Sequence, residues 1–507
     1  MNTRRPDLSC ALALFVAASC YFASFSPWNR PLLLDAATWD YMAVETARGL
    51  VPYRDVFLHK TPGAALIGAA GAAAGGAWDL LVAAGAPKGD PSHTSASKSP
   101  VLAAHALFLL MGALAPVLLF AIARTAGLPL SAALASGLAL LAFDEWPIAV
   151  LEGCRPKVPT VFFGLAALLA AERRRDWAAS LLGGLSVLCW QPGLAFLLGA
   201  WATIVRDGER RPIRFLQLGA VSVAPAGLLL LWLAAHGALA DFFQQSVLFN
   251  VHYIEHKARP LLGTFRALLR TLTDWNDVEV LLAPAAAAGL WLGRARGASK
   301  SQGGLPFSVM VSGAVYAAMT FVSYQSWPDA ILLTPILATL VGVGLHRFFA
   351  LRLTPSAATA LTLLVLTLAA IPDDRPKFHP PLPFDVQRER FVALAQDLPP
   401  DARVVGVSVP EFFLHTGRRN GWRWPYMWFG VDDFAAAHTA GGFEGVLADL
   451  ERDPPRLILA TRLWNGEHRE LFEAWAAGRY ERSVVRIYPH TRTPLRVYRL
   501  RKTGEPR

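Results

Sequence analysis

Apolar runs of roughly 15 to 25 residues recur along the first three quarters of the chain, each closed by a short polar segment. They fall at about 8–28, 101–123, 128–143, 157–171, 177–190, 193–206, 215–235, 278–293, 306–323, 329–346 and 357–371. The pair split at Gln191-Pro192 reads as one broken helix or two short ones. Ala64–Ala86 is also apolar, but it is rich in Gly and Ala and carries Asp79, so it reads as an interfacial or re-entrant segment. A polar Ser/Pro/Gly linker, Pro87–Pro100, follows it. Beyond Ile371 the pattern changes. Val404–Val409 and Arg456–Ala460 read as buried strands, Glu467–Ala477 as a helix, and Ser483–Tyr488 and Leu495–Leu500 as closing strands. The expected fold is an α-helical polytopic membrane protein with about eleven transmembrane helices and a small C-terminal α/β domain. The expected division is a transmembrane domain over 1–371, with a first outer loop at 29–100, a Pro-rich linker at 372–384 and a soluble domain at 385–507.

Charge gives this pattern a direction. The chain is 54% hydrophobic and 17% charged over 507 residues, well below the charge content of soluble domains. With the N-terminus inside, Arg124, Arg173–Arg175, Arg206–Arg214, Arg294–Lys300 and Arg347–Arg352 all fall on the same side. That is the positive-inside pattern, and it holds only if Ala64–Ala86 does not cross once. It accounts for the net charge of +10 without nucleic acid, for which no basic-aromatic module is present. The first run resembles a signal peptide but lacks a clear cleavage site, so it reads as a retained span. An odd span count sends the C-terminal domain outside. The four cysteines form no CxxC pair; Cys154 and Cys189 are either a disulfide near the outer face or two small apolar residues. No phosphate-binding loop, dinucleotide fingerprint or serine-nucleophile elbow is evident.

Against this apolar background one stretch stands out. Between Asp35 and Gly63 lie Asp35, Asp40, Glu45 and Asp55, with Arg48, Arg54 and Lys60, His59 and several aromatics. Trp39, Ala43, Ala47 and Leu50 recur at helical spacing, which predicts an amphipathic helix on the bilayer surface with Asp40 and Glu45 toward water. The spacing from Asp35 to Gly63 is D-x5-Y-x7-G-x3-Y-x-D-x4-K-x-P-G. It resembles the first extracytoplasmic loop of GT-C glycosyltransferases, multi-span enzymes whose donor is a polyprenyl-phosphate-linked sugar. The bacterial branch related to protein O-mannosyltransferases and aminoarabinose transferases (family 39-like) is the most similar. The chain departs from that pattern in three places: Thr61 stands where a Pro is frequent, Arg155-Pro156-Lys157 where a second acid is common, and Trp190 where a lysine precedes the Gln-Pro turn.

The resemblance implies a bacterial cytoplasmic-membrane enzyme that passes sugar to an acceptor outside the cytoplasm, with inversion by single displacement. An acceptor hydroxyl then needs a base, and the leaving phosphate needs positive charge. Asp35 is implied as the general base or acceptor-positioning carboxylate; its structural alternative is a helix N-cap before Thr38. Asp55 either positions the acceptor or holds its turn. Lys60 is the candidate for the phosphate, or else for a lipid headgroup. Tyr41, Tyr53 and His59 complete the candidate binding set in this loop; Arg155 and Lys157 add to it from the second outer loop. Glu152 is taken as the second acid, with Asp144 and Glu145 nearby. His252, Glu255 and His256 have a spacing that suits a metal, but no third ligand is evident, so neither metal nor other cofactor is assigned. Trp422, Trp424, Tyr426 and Trp428 are read as sugar-stacking, membrane-docking or core. The competing classes are a transporter or flippase of lipid-linked sugars, expected to carry mid-span charges and repeated halves, and a non-catalytic scaffold of the same fold.

Overall fold

The computed structural model describes residues 4–85, 98–207, 212–252, 305–323, 327–371, 382–427, 430–461, 466–487 and 494–501, with isolated residues between 262 and 291. The spans predicted at 278–293 and the His256 and Trp428 positions lie essentially outside these residues.

Helix α1 covers Arg4–Ser24. A short 3-10 turn at Pro27–Asn29 redirects the chain into α2, Leu34–Ala47. Next come α3 (Gly63–Gly85) and α4 (Ser99–Thr125). Helices α5 (Leu130–Leu141) and α6 (Glu145–Leu151) follow, with a 60° bend between them. The chain continues through α7 (Lys157–Glu172), α8 (Asp176–Cys189), α9 (Leu194–Asp207) and α10 (Pro212–Ala235). Gln191–Gly193 forms a 3-10 turn. Pro192 has no N–H to extend α8, so the predicted break yields two separate helices. After α10, a four-residue α11 (Leu239–Phe242) runs into a π-helical turn, Phe243–Leu248. Further helices lie at Phe307–Ser323, Thr334–Ala350 and Pro355–Ala369.

Four helices among the described residues are long and apolar enough to cross a membrane: Asp7–Asn29, Ser99–Thr125, Ile213–Ala235 and Ala330–Ala350; the bent α5–α6 pair makes a fifth if it is one span. Shorter apolar helices lie at Asp176–Cys189, Phe307–Thr320 and Pro355–Ala369. The chain is thus a multi-pass membrane protein. Helix α3 is continuous over 23 residues, about 35 Å at 1.5 Å per residue. Its small residues let it lie close on α4. A Cβ at Gly71 would come 2.7 Å from the Ala104 Cα, and one at Gly75 would come 2.4 Å from the Ser99 carbonyl oxygen.

The C-terminal region has a mixed sheet, with strands β1 (Val404–Val407), β2 (Leu457–Ala460), β3 (Tyr480–Val485) and β4 (Leu495–Leu500) in the order β1-β2-β4-β3. β1 and β2 are parallel, while β4 pairs antiparallel with both β2 and β3. A predicted helix appears at Gly466–Ala477. Trp422, Trp424 and Tyr426 are core residues here, packed with Val405, Val407, Phe434 and Ile458. Phe57 and Phe249 from the membrane half complete that core, Phe57 lying 5.3 Å from both Trp424 and Phe249.

This docking corrects the reading of α2. The helix does not lie amphipathically with acids in water: Asp40 and Glu45 are each only 1% exposed. Glu45 pairs with Arg48 (2.7 Å) and with Arg419 (3.1 Å). Tyr41 packs 5.8 Å from Phe413, and its hydroxyl accepts the Asn420 N–H at 3.0 Å. The C-terminal region covers a face that the sequence alone assigns to solvent. The four cysteines are free, and Cys154 and Cys189 are both buried, as small apolar residues would be.

Candidate active site

Asp35 is the second residue of α2, where the helix N-terminus favours an acid. Leu33 is the N-cap, so Asp35 does not cap the helix; its carboxylate is turned instead to the segment joining α6 to α7, residues 152–156. In that segment Gly153 adopts φ +98°, a conformation open to glycine at low cost. The turn brings Arg155 between two acids: its Nη1 binds Asp35 Oδ2, and its Nε donates to Glu152 Oε2 at 2.6 Å. The Arg155 and Glu152 side chains are about 15% exposed, whereas that of Asp35 is 51% exposed. The cluster is closed on one side and open at Asp35.

Two lysines flank it. The Lys60 ammonium lies 5.7 Å from the Trp39 ring centroid and 5.6 Å from that of Trp190; Lys157 lies 5.1 Å from Trp190. One buried indole thus faces two cations, at distances where ring quadrupoles attract them. Burial disfavours the Asp35 charge, but Arg155, Lys60 and Lys157 outweigh it and hold the carboxyl below its ordinary value. Arg30 is buried as well; desolvation lowers its pKa to about 10 against the opposing pull of Glu152. Neither Arg30 nor the clamp made by Trp39 and Trp190 was singled out from the sequence. The only signal for Arg30 is a base directly after an apolar span; Trp190 stands out only as a departure from the family pattern.

The other predicted residues go elsewhere. Asp55 is held in its own turn: it pairs with Arg54 (2.7 Å), and its Oδ2 accepts the Val51 N–H at 2.8 Å. Tyr53, at φ +72° and fully buried, donates its hydroxyl to the Lys60 carbonyl at 2.8 Å. Gln245 of the π-helical turn ties the same loop down, donating to the Tyr53 carbonyl (2.8 Å) and accepting from Leu58 N–H (3.0 Å). His59 bonds Tyr426 through Nδ1, and desolvation, followed by the Lys60 charge, lowers its pKa to about 3, so it is neutral at pH 7. Tyr41 is committed to Asn420. The structure therefore brings together Asp35, Glu152, Arg155, Lys60 and Lys157. It leaves Asp55, Tyr41, Tyr53 and His59 as parts of the frame around them. Among the described residues, two groups of side chains have metal-ligand character: Asp40, His105 and Cys154, and Asp432, Asp433 and His468.

No protein-family model matches the chain, and no curated protein sequence matches it either. Solved structures do match. ArnT from Cupriavidus metallidurans in the apo state superposes with a TM-score of 0.59 at 13% identity, covering 96% of this chain and 97% of that one. The same protein bound to undecaprenyl phosphate gives 0.55 at 14% identity, covering 98% and 99%. The chain has the ArnT fold. The GT-C resemblance read from Asp35–Gly63 is borne out at the level of architecture, including the C-terminal sheet, which the match to ArnT also spans.

Proposed function

We propose that the chain is an integral-membrane glycosyltransferase that takes a sugar from a polyprenyl-phosphate donor and passes it to an acceptor at the outer face of the bacterial cytoplasmic membrane. The observation that carries this reading is the half-exposed Asp35 carboxylate, bonded to Arg155 and held ionised by Arg155, Lys60 and Lys157. An acid among three cations at the start of α2, just beyond the first membrane helix, suits a reaction in which a hydroxyl is deprotonated and a phosphate departs. That ArnT was crystallised with undecaprenyl phosphate supports a donor of this class.

In this reading Lys60, Lys157 and Arg155 receive the donor phosphate and stabilise its growing negative charge as the C1–O bond breaks. A bound phosphate draws these cations away from Asp35. The carboxylate then regains basicity as the acceptor arrives, takes the hydroxyl proton, and the acceptor oxygen displaces phosphate with inversion. Glu152 serves by orienting Arg155, and Asp55 by fixing the loop that carries Lys60. The test is label transfer in liposomes holding the purified protein, a panel of labelled polyprenyl-phosphate sugars and envelope acceptors. Label should move from lipid to a water-soluble or lipid acceptor. Movement of intact donor across the bilayer without transfer would replace this reading with a flippase.

A further inference from the structure

We propose that Asp40, His105 and Cys154 form a buried divalent-metal site of zinc type that ties α2 and α4 to the turn carrying Arg155. The three side chains come from different segments and are far apart in sequence, yet one ligand atom from each lies within 4.8 Å of the others. Asp40 is 1% exposed, His105 8% and Cys154 0%. His, carboxylate and thiolate are the ligand types that zinc accepts.

The contacts within the group leave one atom unexplained. Asp40 Oδ1 accepts the Cys154 N–H at 3.0 Å. Asp40 Oδ2, however, is buried with no hydrogen-bond partner. His105 Nε2 lies 2.9 Å from Asp40 Oδ1, at ion-pair distance. An orphaned carboxylate oxygen beside an imidazole and a thiol, all out of water, is costly as it stands. A dication gives that oxygen a partner, and it balances the two negative charges of an ionised Asp40 and Cys154. Three protein ligands leave one tetrahedral position, for water or the second Asp40 oxygen. Gly153 brings the backbone hard against the group: a Cβ there would lie 2.4 Å from His105 Nε2 and 2.7 Å from Asp40 Oδ1. The site adjoins the candidate reaction centre through the chain, since Cys154 precedes Arg155 and Asp40 lies on the helix that begins beside Asp35. Its role is to hold those two segments, and the inference does not depend on the transferase reading.

The test uses the tag-free full-length protein in detergent, stripped with chelator, dialysed and then loaded with Zn²⁺ or Co²⁺. About one zinc per chain should be retained after dialysis, as expected for one buried site. Co²⁺ should give the thiolate-to-metal charge-transfer absorption that reports a Cys ligand. Both signals should vanish in Cys154→Ser and in His105→Gln and persist in Cys189→Ser, and Zn²⁺ should raise the wild-type unfolding temperature. Wild-type protein that retains no zinc and gives no charge-transfer band overturns the proposal, whether or not the variants fold. Bands unchanged in both ligand variants overturn it too.

Discussion

Asp35 and Asp55 belong to the same stretch of loop, and both are ionised acids beside an arginine. Their settings differ. Asp35 is half open to solvent, and its arginine is shared with Glu152 and reinforced by two lysines. Asp55 has its carboxylate used up locally by Arg54 and the Val51 N–H. A carboxylate whose lone pairs already serve the loop has little left for a substrate, whereas one facing an open cationic cluster does. In the proposed reading one motif therefore contains a chemical end and a scaffolding end, and charge density alone does not separate them.

The largest expected effect is on chemistry. Asp35→Asn should lower transfer by about 10²–10⁴-fold, the range for a lost general base, with the unfolding temperature little changed because the side chain is half exposed. Next is donor binding. Lys60→Ala should weaken polyprenyl-phosphate binding by roughly 10- to 100-fold, as for loss of a charge-assisted contact of about 1.5–3 kcal/mol, read by titration calorimetry in detergent. Lys157→Ala should act in the same direction, and unchanged affinity in both variants would remove the phosphate role. Asp55→Asn should instead cost about 1–2 kcal/mol of stability through the turn it holds, seen as a lower unfolding temperature, while donor affinity stays within a few-fold.

The last expected effect is on the pH dependence of the frame. His59 and His415 are both held neutral, at about 3 instead of the ordinary 6.5, chiefly by desolvation. Their folded values are depressed, so the unfolded chain binds more protons between pH 6.5 and 3. Stability from them is complete above pH 6.5 and declines as pH falls below it. The unfolding temperature should fall from pH 6.5 to 4.5, and His415→Gln should flatten that decline. No shallower slope in the variant would place the acid sensitivity elsewhere.

Much of the architecture was legible in the sequence because it is written locally. Apolar runs gave most helices within a few residues, and short apolar runs rich in Val, Ile and Leu gave the inner strands of the C-terminal sheet. Lys60, Lys157, Arg155 and Glu152 could be named from the sequence only through the resemblance of Asp35–Gly63 and the following outer loop to the GT-C pattern. What was not legible depends on partners distant in sequence. The environment of α2 is set by Asn420, Arg419 and Phe413, some 370 residues further along, so its acids were assigned to water. The Trp190 clamp on Lys60 and Lys157 needs the turn after α8 to meet the start of α3. Gly63 permits that approach: a Cβ there would lie 2.6 Å from the Leu188 carbonyl oxygen.

The most direct test measures Asp35→Asn and Asp55→Asn side by side in one liposome transfer assay, each rate normalised to folded protein. Transfer should be lost in Asp35→Asn and stay within about tenfold of wild type in Asp55→Asn. Equal losses in the two, or full transfer by Asp35→Asn, would contradict the division of the loop into a chemical and a scaffolding acid.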